Sequence, residues 1–289
     1  MNTNNDHKVM ACVDQSAYAD HVADCAAWAA ARLGAPLELL HVIDRHPEIS
    51  TSTDHSGAIG MDAQEKLLDQ LSAEDHDQAR QAREAGRLFL NRLRQRVLAT
   101  ADVDVDVRQR HGSLQETLVE QEKGVRLIVL GRRGESAQAT QRDLGRHVER
   151  IVRGLHKPIL TVTDDFSPPA SVVIAFDGGT VTRRGVALVA GSPLFRGLPI
   201  HVLMTGKARA DSPKHMEWAR RTLHDAGFEV VTAIEPGDTE STIARYMAAH
   251  SIGLLVMGSY GHSMLHGLVF GSKTTDLLRA SRIPALLLR

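Results

Sequence analysis

Between Val256 and Leu278 the chain reads VMGSYGHSMLHGLVFGSKTTDLL, and these residue types suit the binding of an anion. Gly258 and Gly261 follow an apolar run that ends in Met257. Nine residues then separate Gly261 from Gly271, which with Ser272 opens the last helical pattern. Glycines let the backbone curl against a ligand and present their N–H groups to it. A helix N-terminus adds unpaired N–H groups and a positive dipole end, which suits phosphate. The hydroxyls of Ser272 and Thr274 can bond the same oxygens, and Lys273 can approach them. A plainer reading is two tight turns flanking an ordinary helix, and spacing alone does not choose between the two. Asp177 and Asp14 each end an apolar run. In a parallel sheet they would stand at the same rim as the glycines, where a carboxylate can accept from an adenine or ribose donor. Each could equally cap the helix that follows.

Other chemistries fit less well. Gly271-Ser-Lys-Thr274 looks like the tail of a P-loop, but Ser272 separates Gly from Lys and Gly267 stands one residue too close. His262 and His266 are four apart without a Cys or carboxylate nearby to complete a zinc set, so they read as solvated or nucleotide-adjacent. The chain has no Gly-x-Ser-x-Gly elbow. His262 is the best general base near the loop, which makes slow ATP hydrolysis or nucleotidyl transfer the enzymatic alternative to plain binding. A third reading is an interaction protein whose nucleotide site is vestigial.

The elements that would position these residues occur twice. Val9–Asp44 and Val172–Gly206 share an order of apolar strand, Asp, helical pattern, turn and strand. Asp14 to Asp177 spans 163 residues and His41 to His201 spans 160, whereas Gly112 to Gly237 spans 125 and Pro158 to Pro284 spans 126. One insertion in the first copy, within Arg45–Gln78, explains the drop. The linker DDFSPPA, Asp164–Ala170, divides the chain into copies at 1–165 and 171–289. Strands are expected at Lys8–Val13, Leu37–Val42, Val103–Arg108, Leu127–Leu130 and Ile159–Val162. In the second copy they are expected at Val172–Phe176, Pro199–Met204, Glu229–Ala233, Leu254–Met257 and Ala285–Leu288. Several are continuous apolar runs, as in strands buried on both faces. Val148, Ile151, Val152 and Leu155 form one buried helical stripe. Asp62-x-x-Glu65 suits a capping box opening a long helix. That helix, from Leu67 to Val97, reads as ordinary and amphipathic; the alternative is a cover over a non-nucleotide pocket. Trp28 and Trp218 read as helix-packing residues. Alternation of strand and helix implies a parallel α/β sheet with ligands beyond the strands' carboxyl ends.

Composition narrows the class further. The 289 residues are 43% hydrophobic and 24% charged, with 34 Lys+Arg against 35 Asp+Glu. That is globular and nearly neutral, with no general attraction to nucleic acid or anionic membrane. Cys12 and Cys25 read as small buried hydrophobes. With no signal-peptide pattern and no apolar run near about 18 residues, the expected location is cytoplasmic.

Gly258, Gly261, Gly271 and Ser272 match Gly-x2-Gly-x9-Gly-Ser/Thr without a gap, and here the chain resembles the universal stress proteins of tandem type. The resemblance covers nearly everything but the N-terminal tail and the insertion. It implies two doubly wound five-stranded parallel sheets of order 3-2-1-4-5 with helices on both faces. It also implies ATP or AMP as ligand, with or without magnesium, and a stress-response regulatory role exerted through a protein partner. Asp177 would contact the adenine side, and a backbone contact near the second strand's end would fall at Val202. Ile159–Val162 and Ala285–Leu288 would pair across a pseudo-two-fold axis, so that one chain imitates a dimer; homodimerisation of the whole is left open. The first copy departs from the pattern. Ten residues lie between Gly134 and Gly145, and Arg146 replaces the hydroxyl. Arg132, Arg133, Arg142, Arg146, Arg150, Arg153 and Lys157 gather there against Glu135, Asp143 and Glu149. They read as a solvated face with ion pairs; the sharper alternative is a site for a different anion, or a guanidinium filling the phosphate position so that the copy is only structural.

Overall fold

The computed structural model describes residues 8–43, 61–132, 151–152, 154–163, 165–258 and 283–289, with 61–76 as backbone alone. The first half contains β1 (Lys8–Cys12), α1 (Ala19–Leu33), β2 (Leu37–Ile43), α2 (Met61–Thr100), β3 (Val105–His111), α3 (Leu114–Gln121), β4 (Val125–Gly131) and β5 (Ile159–Val162). The second contains β6 (Val172–Ala175), α4 (Thr180–Gly191), β7 (Ile200–Thr205), α5 (Ser212–Asp225), β8 (Val230–Glu235), α6 (Thr239–Ala249), β9 (Leu254–Gly258) and β10 (Ala285–Leu288).

All ten strands form one sheet, in the order β3-β2-β1-β4-β5-β10-β9-β6-β7-β8. Each half has the expected order 3-2-1-4-5 with parallel neighbours. The halves join where β5 and β10 pair antiparallel, Leu160 opposite Leu286. Those two leucines are 126 residues apart, the offset already seen between Pro158 and Pro284. Equivalent residues therefore face each other on the pseudo-two-fold axis. The apolar runs predict the middle of this sheet well: β1, β4, β5, β9 and β10 are buried nearly throughout.

Each face of the sheet carries its own core. α1 is rich in alanine, whose small side chains let the helix lie close; Ala23, Ala26, Ala29 and Ala30 are fully buried. On that face one cluster runs from Leu90, Leu93 and Val97 of α2, through Val9 and Leu160, to Val186 and Ala219 beyond the join. On the other face Leu118, Ile151, Val152, Leu155, Ile243, Tyr246 and Met247 cover the strands. Trp28 and Trp218 pack against the first cluster, as expected of helix-packing residues. Both cysteines are free and buried, and burial pushes both thiols well up, so neither is a ready nucleophile.

The long helix expected in the first copy is present: α2 has 40 residues and its counterpart α5 has 14. Two expectations need correcting. The edge strands extend further than the apolar pattern suggests, β3 to His111 and β8 to Glu235. An edge strand has one paired neighbour and tolerates polar residues, so an apolar criterion stops early. Secondly, His41 and His201 are not equivalent. Val9 pairs with Leu37 and Val172 with Ile200, so the 163-residue offset continues through β2 and β7. It places His41 opposite Met204 in the repeat, and His201 opposite Glu38. The side chains of Asp62 and Glu65, and Val148, lie outside the described residues.

Candidate functional site

In a parallel sheet the loops leaving the carboxyl ends of the first and fourth strands adjoin. Here those strands are β6 and β9, which pair directly. Asp177 follows β6. Its Oδ1 accepts from the N–H of Gly179 at 2.8 Å and from the hydroxyl of Thr182 at 2.6 Å, which ties it to the first turn of α4. Asp14 occupies the matching place after β1, where its Oδ1 accepts from the N–H of Ser16 at 3.2 Å and from its hydroxyl. Neither carboxylate is the helix cap that was one of their two readings: Tyr18 and Gly179 hold the N-cap positions, and each Asp instead fixes the turn that precedes its helix. A carboxylate offers about four acceptor positions, so this role leaves capacity for a ligand donor.

Gly258 ends β9 on the same rim, against the start of α4. A Cβ there would lie 2.9 Å from Cγ1 of Val181, so the fit between strand and helix is close. The structure thereby brings Asp177, Thr182 and Gly258 around one helix end. Met257, which precedes Gly258 on β9, is buried in the core on the opposite face of the sheet from α4. Val202 is fully buried in mid-strand, with ladder neighbours on both sides, Ile174 and Thr232. β7 runs on past the end of β6 to Thr205, whose hydroxyl donates to that of Thr239 at 3.1 Å. Gly261, His262, Gly271, Ser272, Lys273 and Thr274 lie outside the described residues.

Several residues that sequence reasoning missed hold this rim. Gly178 has φ +78° and lies beneath His215 of α5 so closely that a Cβ would overlap the imidazole. Arg183 donates from Nε to the carbonyl of Gly178 at 2.9 Å, and its guanidinium lies 4.5 Å over the Trp218 ring. Trp218 stacks in turn on Phe176 at 6.3 Å. The Gly178-Gly179 pair after Asp177 was the available signal, since paired glycines mark a backbone that something approaches closely.

In the first half, Arg132 departs from the solvated cluster to which its sequence neighbours assign it. It is 5% exposed. Nε donates to the Thr161 hydroxyl at 3.2 Å and Nη2 to the carbonyl of Ile283, beside β10, at 2.6 Å. Burial pulls its guanidinium down to about 10, still protonated at neutral pH. It sits at the seam between the halves because it directly follows β4, whose neighbour β5 forms that seam. Arg133, Arg142, Arg146, Arg150 and Arg153 lie outside the described residues.

His41 and His201 are structural. Nδ1 of His41 donates to the carbonyl of Val13 at 3.0 Å and its ring meets the edge of Phe89. His201 shares a 2.9 Å hydrogen bond with the Tyr246 hydroxyl. Among the described residues, no helix is long and apolar enough to cross a membrane.

Comparisons with known proteins agree with this duplicated architecture. The family model described as "Universal stress protein family" matches residues 7–163 and again 173–289. The universal stress protein Slr1230 of Synechocystis sp. is 33% identical over 284 residues, which is 97% of this chain and 99% of that one. The crystal structure of a universal stress protein from Archaeoglobus fulgidus superposes over 100% of this chain and 99% of its own, with TM-score 0.70 at 18% identity. A second protein of that organism, solved in complex with dAMP, is 16% identical with TM-score 0.34, covering 43% of this chain and all of its own.

Proposed function

The chain belongs to the universal stress protein family, and from that premise we propose that its second half is a regulatory module that binds ATP or AMP. In this reading the phosphates lie on the backbone N–H groups of Gly258, Gly261 and Gly271. The hydroxyls of Ser272 and Thr274 and the charge of Lys273 add to that hold. The adenosine end meets the carboxylate of Asp177, and His262 and Met257 border the cleft. The strand-end backbone contact, expected at Val202, is better met at Thr205, where β7 has outrun its neighbour β6. Magnesium, where it accompanies a triphosphate, is held chiefly through phosphate oxygens. A ligand that orders the loop alters whatever a regulatory protein partner touches, so the output is a shift between two states. The first half, from 1 to the linker at 164–170, would not take a triphosphate in the same way, because Arg146 stands where the hydroxyl is needed.

One observation carries this reading. The uninterrupted spacing Gly258, Gly261, Gly271, Ser272 begins at the rim where Asp177 is anchored, and Gly258 is pressed against the helix whose Thr182 donates to Asp177. The test is calorimetric titration of the whole chain with ATP, with thermal melts alongside. ATP at about 100 times its dissociation constant should add about 2.7 kcal/mol of stability. Gly261→Asp should abolish the titration signal, and the matched Gly134→Asp should leave it intact. Binding that survives Gly261→Asp, or a parent protein that ATP neither titrates nor stabilises, refutes the proposal.

A further inference from the structure

The long helix α2 forms an open cleft over β3, apart from the rim beside Asp177. On the offset of 125 residues that relates β3 to β8, the first residue of α5, Ser212, corresponds to Arg87. Arg80, Arg83 and Glu84 therefore belong to a helical extension found in the first half alone. With Arg87 they stand at i, i+3, i+4 and i+7, one stripe of the helix. On β3, Val105 and Val107 face α2 and pack on its apolar end, and the same alternation brings Gln109 and His111 under the arginine stripe. The two periodicities meet in an open cavity of about 600 Å³ lined by Arg80, Arg83, Glu84, Arg87, Gln109 and His111.

Its chemistry is that of an anion receptor. Three guanidiniums face one carboxylate, and that carboxylate is committed: Arg87 donates to both oxygens of Glu84, at 3.0 and 2.6 Å. The floor is closely built. Gly86 brings α2 so near β3 that a Cβ would lie 2.5 Å from Nε2 of Gln109 and 3.1 Å from Cδ2 of His41. Nε2 of Gln109 is buried without a hydrogen-bond partner among the described residues. In the second half the equivalent of Gln109 is Ile234, 37% exposed on an edge strand.

We infer that this α2–β3 cleft binds a small phosphorylated molecule, held by the forked guanidiniums of Arg80 and Arg83 above Gln109 and His111. Guanidinium forks match the oxygens of phosphate. The cavity volume suits a small organic ligand rather than a polymer, and a net charge of −1 gives the whole chain no general attraction for polyanions.

Inorganic pyrophosphate is the probe, with potassium chloride of equal ionic strength as the control. The whole chain is treated with phenylglyoxal, which labels accessible arginines, and each site is followed by peptide mass spectrometry. At ten times its dissociation constant a ligand leaves about one site in eleven open, so labelling of Arg80 and Arg83 should slow about tenfold. Arg220 and Arg245, exposed on the other half, should label at an unchanged rate. Arg83→Glu should remove the protection of Arg80; if its melting curve departs from the parent's, Arg80→Gln read at Arg83 serves instead. Equal rates in pyrophosphate and chloride, or equal protection of Arg220, overturn the inference. The readout lies in the half that lacks the Gly258–Ser272 loop, so it stands or falls separately from ATP binding.

Discussion

Gly178 offers a quantitative test of how the rim beside Asp177 is built. Two separate penalties meet there when the residue is replaced by alanine. Its φ of +78° lies in the left-handed region, which costs an ordinary residue about 1–2 kcal/mol. The new methyl also overlaps the His215 ring, and displacing a packed side chain or its backbone typically costs about 1–3 kcal/mol. Gly178→Ala should therefore destabilise the protein by about 2–5 kcal/mol. His215→Ala alone should cost little, since its ion pair with Asp211 spans 3.7 Å and that carboxylate is mostly exposed. In the His215→Ala background the methyl has room, and Gly178→Ala should cost about 1–2 kcal/mol, the backbone part alone. The coupling measured by urea unfolding of the four proteins should be about 1–3 kcal/mol with unchanged m-values. If Gly178→Ala costs the same with and without the imidazole, the close approach of α5 to this turn is wrong.

Leu160 sits fully buried on the axis between the halves, and Leu160→Ala should cost about 2–5 kcal/mol. Because one apolar cluster crosses the seam, calorimetry should show a single transition; two separated peaks in the parent protein would contradict that. His201 supplies a pH test. Burial, and then His250, hold its imidazole below the ordinary value, against a smaller opposing pull from Glu229. The folded state therefore takes up its proton later than the unfolded chain does. The stability His201 contributes is present above about pH 6.5 and is lost as the pH falls through its folded-state value. His201→Gln should flatten the fall in unfolding free energy between about pH 7 and 5; an unchanged slope would refute the assignment.

Much of the fold is legible in the letters because the central strands are buried on both faces. Runs such as KVMAC and VRLIVLG leave little room for another reading. The edges are harder. RQRH continues β3 although each residue is polar, since a strand with one neighbour answers to ladder hydrogen bonds more than to burial. The His-Val pairs mislead for a related reason. Identical letters suggest equivalence, but register decides it, and register puts Met204 rather than His201 in the place of His41. Arg132 carries no local mark of burial; its burial follows from its place at the seam. The rim residues Thr182, Arg183 and His215 are likewise invisible in sequence, because each acquires its role through the angle at which α4 or α5 crosses the sheet. The arginine stripe on α2 is plain as a helical period, and Gln109 and His111 as a strand period. That the two converge depends on how far the helix extends over β3.

The join between the halves departs from symmetry in a way a dimer of identical chains would not permit. Around the axis, Thr161 lies opposite Ala285 and Leu287 opposite Ile159, so a hydroxyl on one side answers to an isobutyl group on the other. The hydroxyl accepts from Arg132 and donates to the carbonyl of Ala285 at 3.2 Å. In a pair of separate subunits every residue at such a joint appears twice, so any change must suit both places at once. Covalent fusion lifts that constraint. One side can set a buried cation against a hydroxyl where the other places a leucine. The antiparallel joint also turns the two carboxyl-end rims toward opposite margins of the ribbon, where each is free to specialise without obstructing the other.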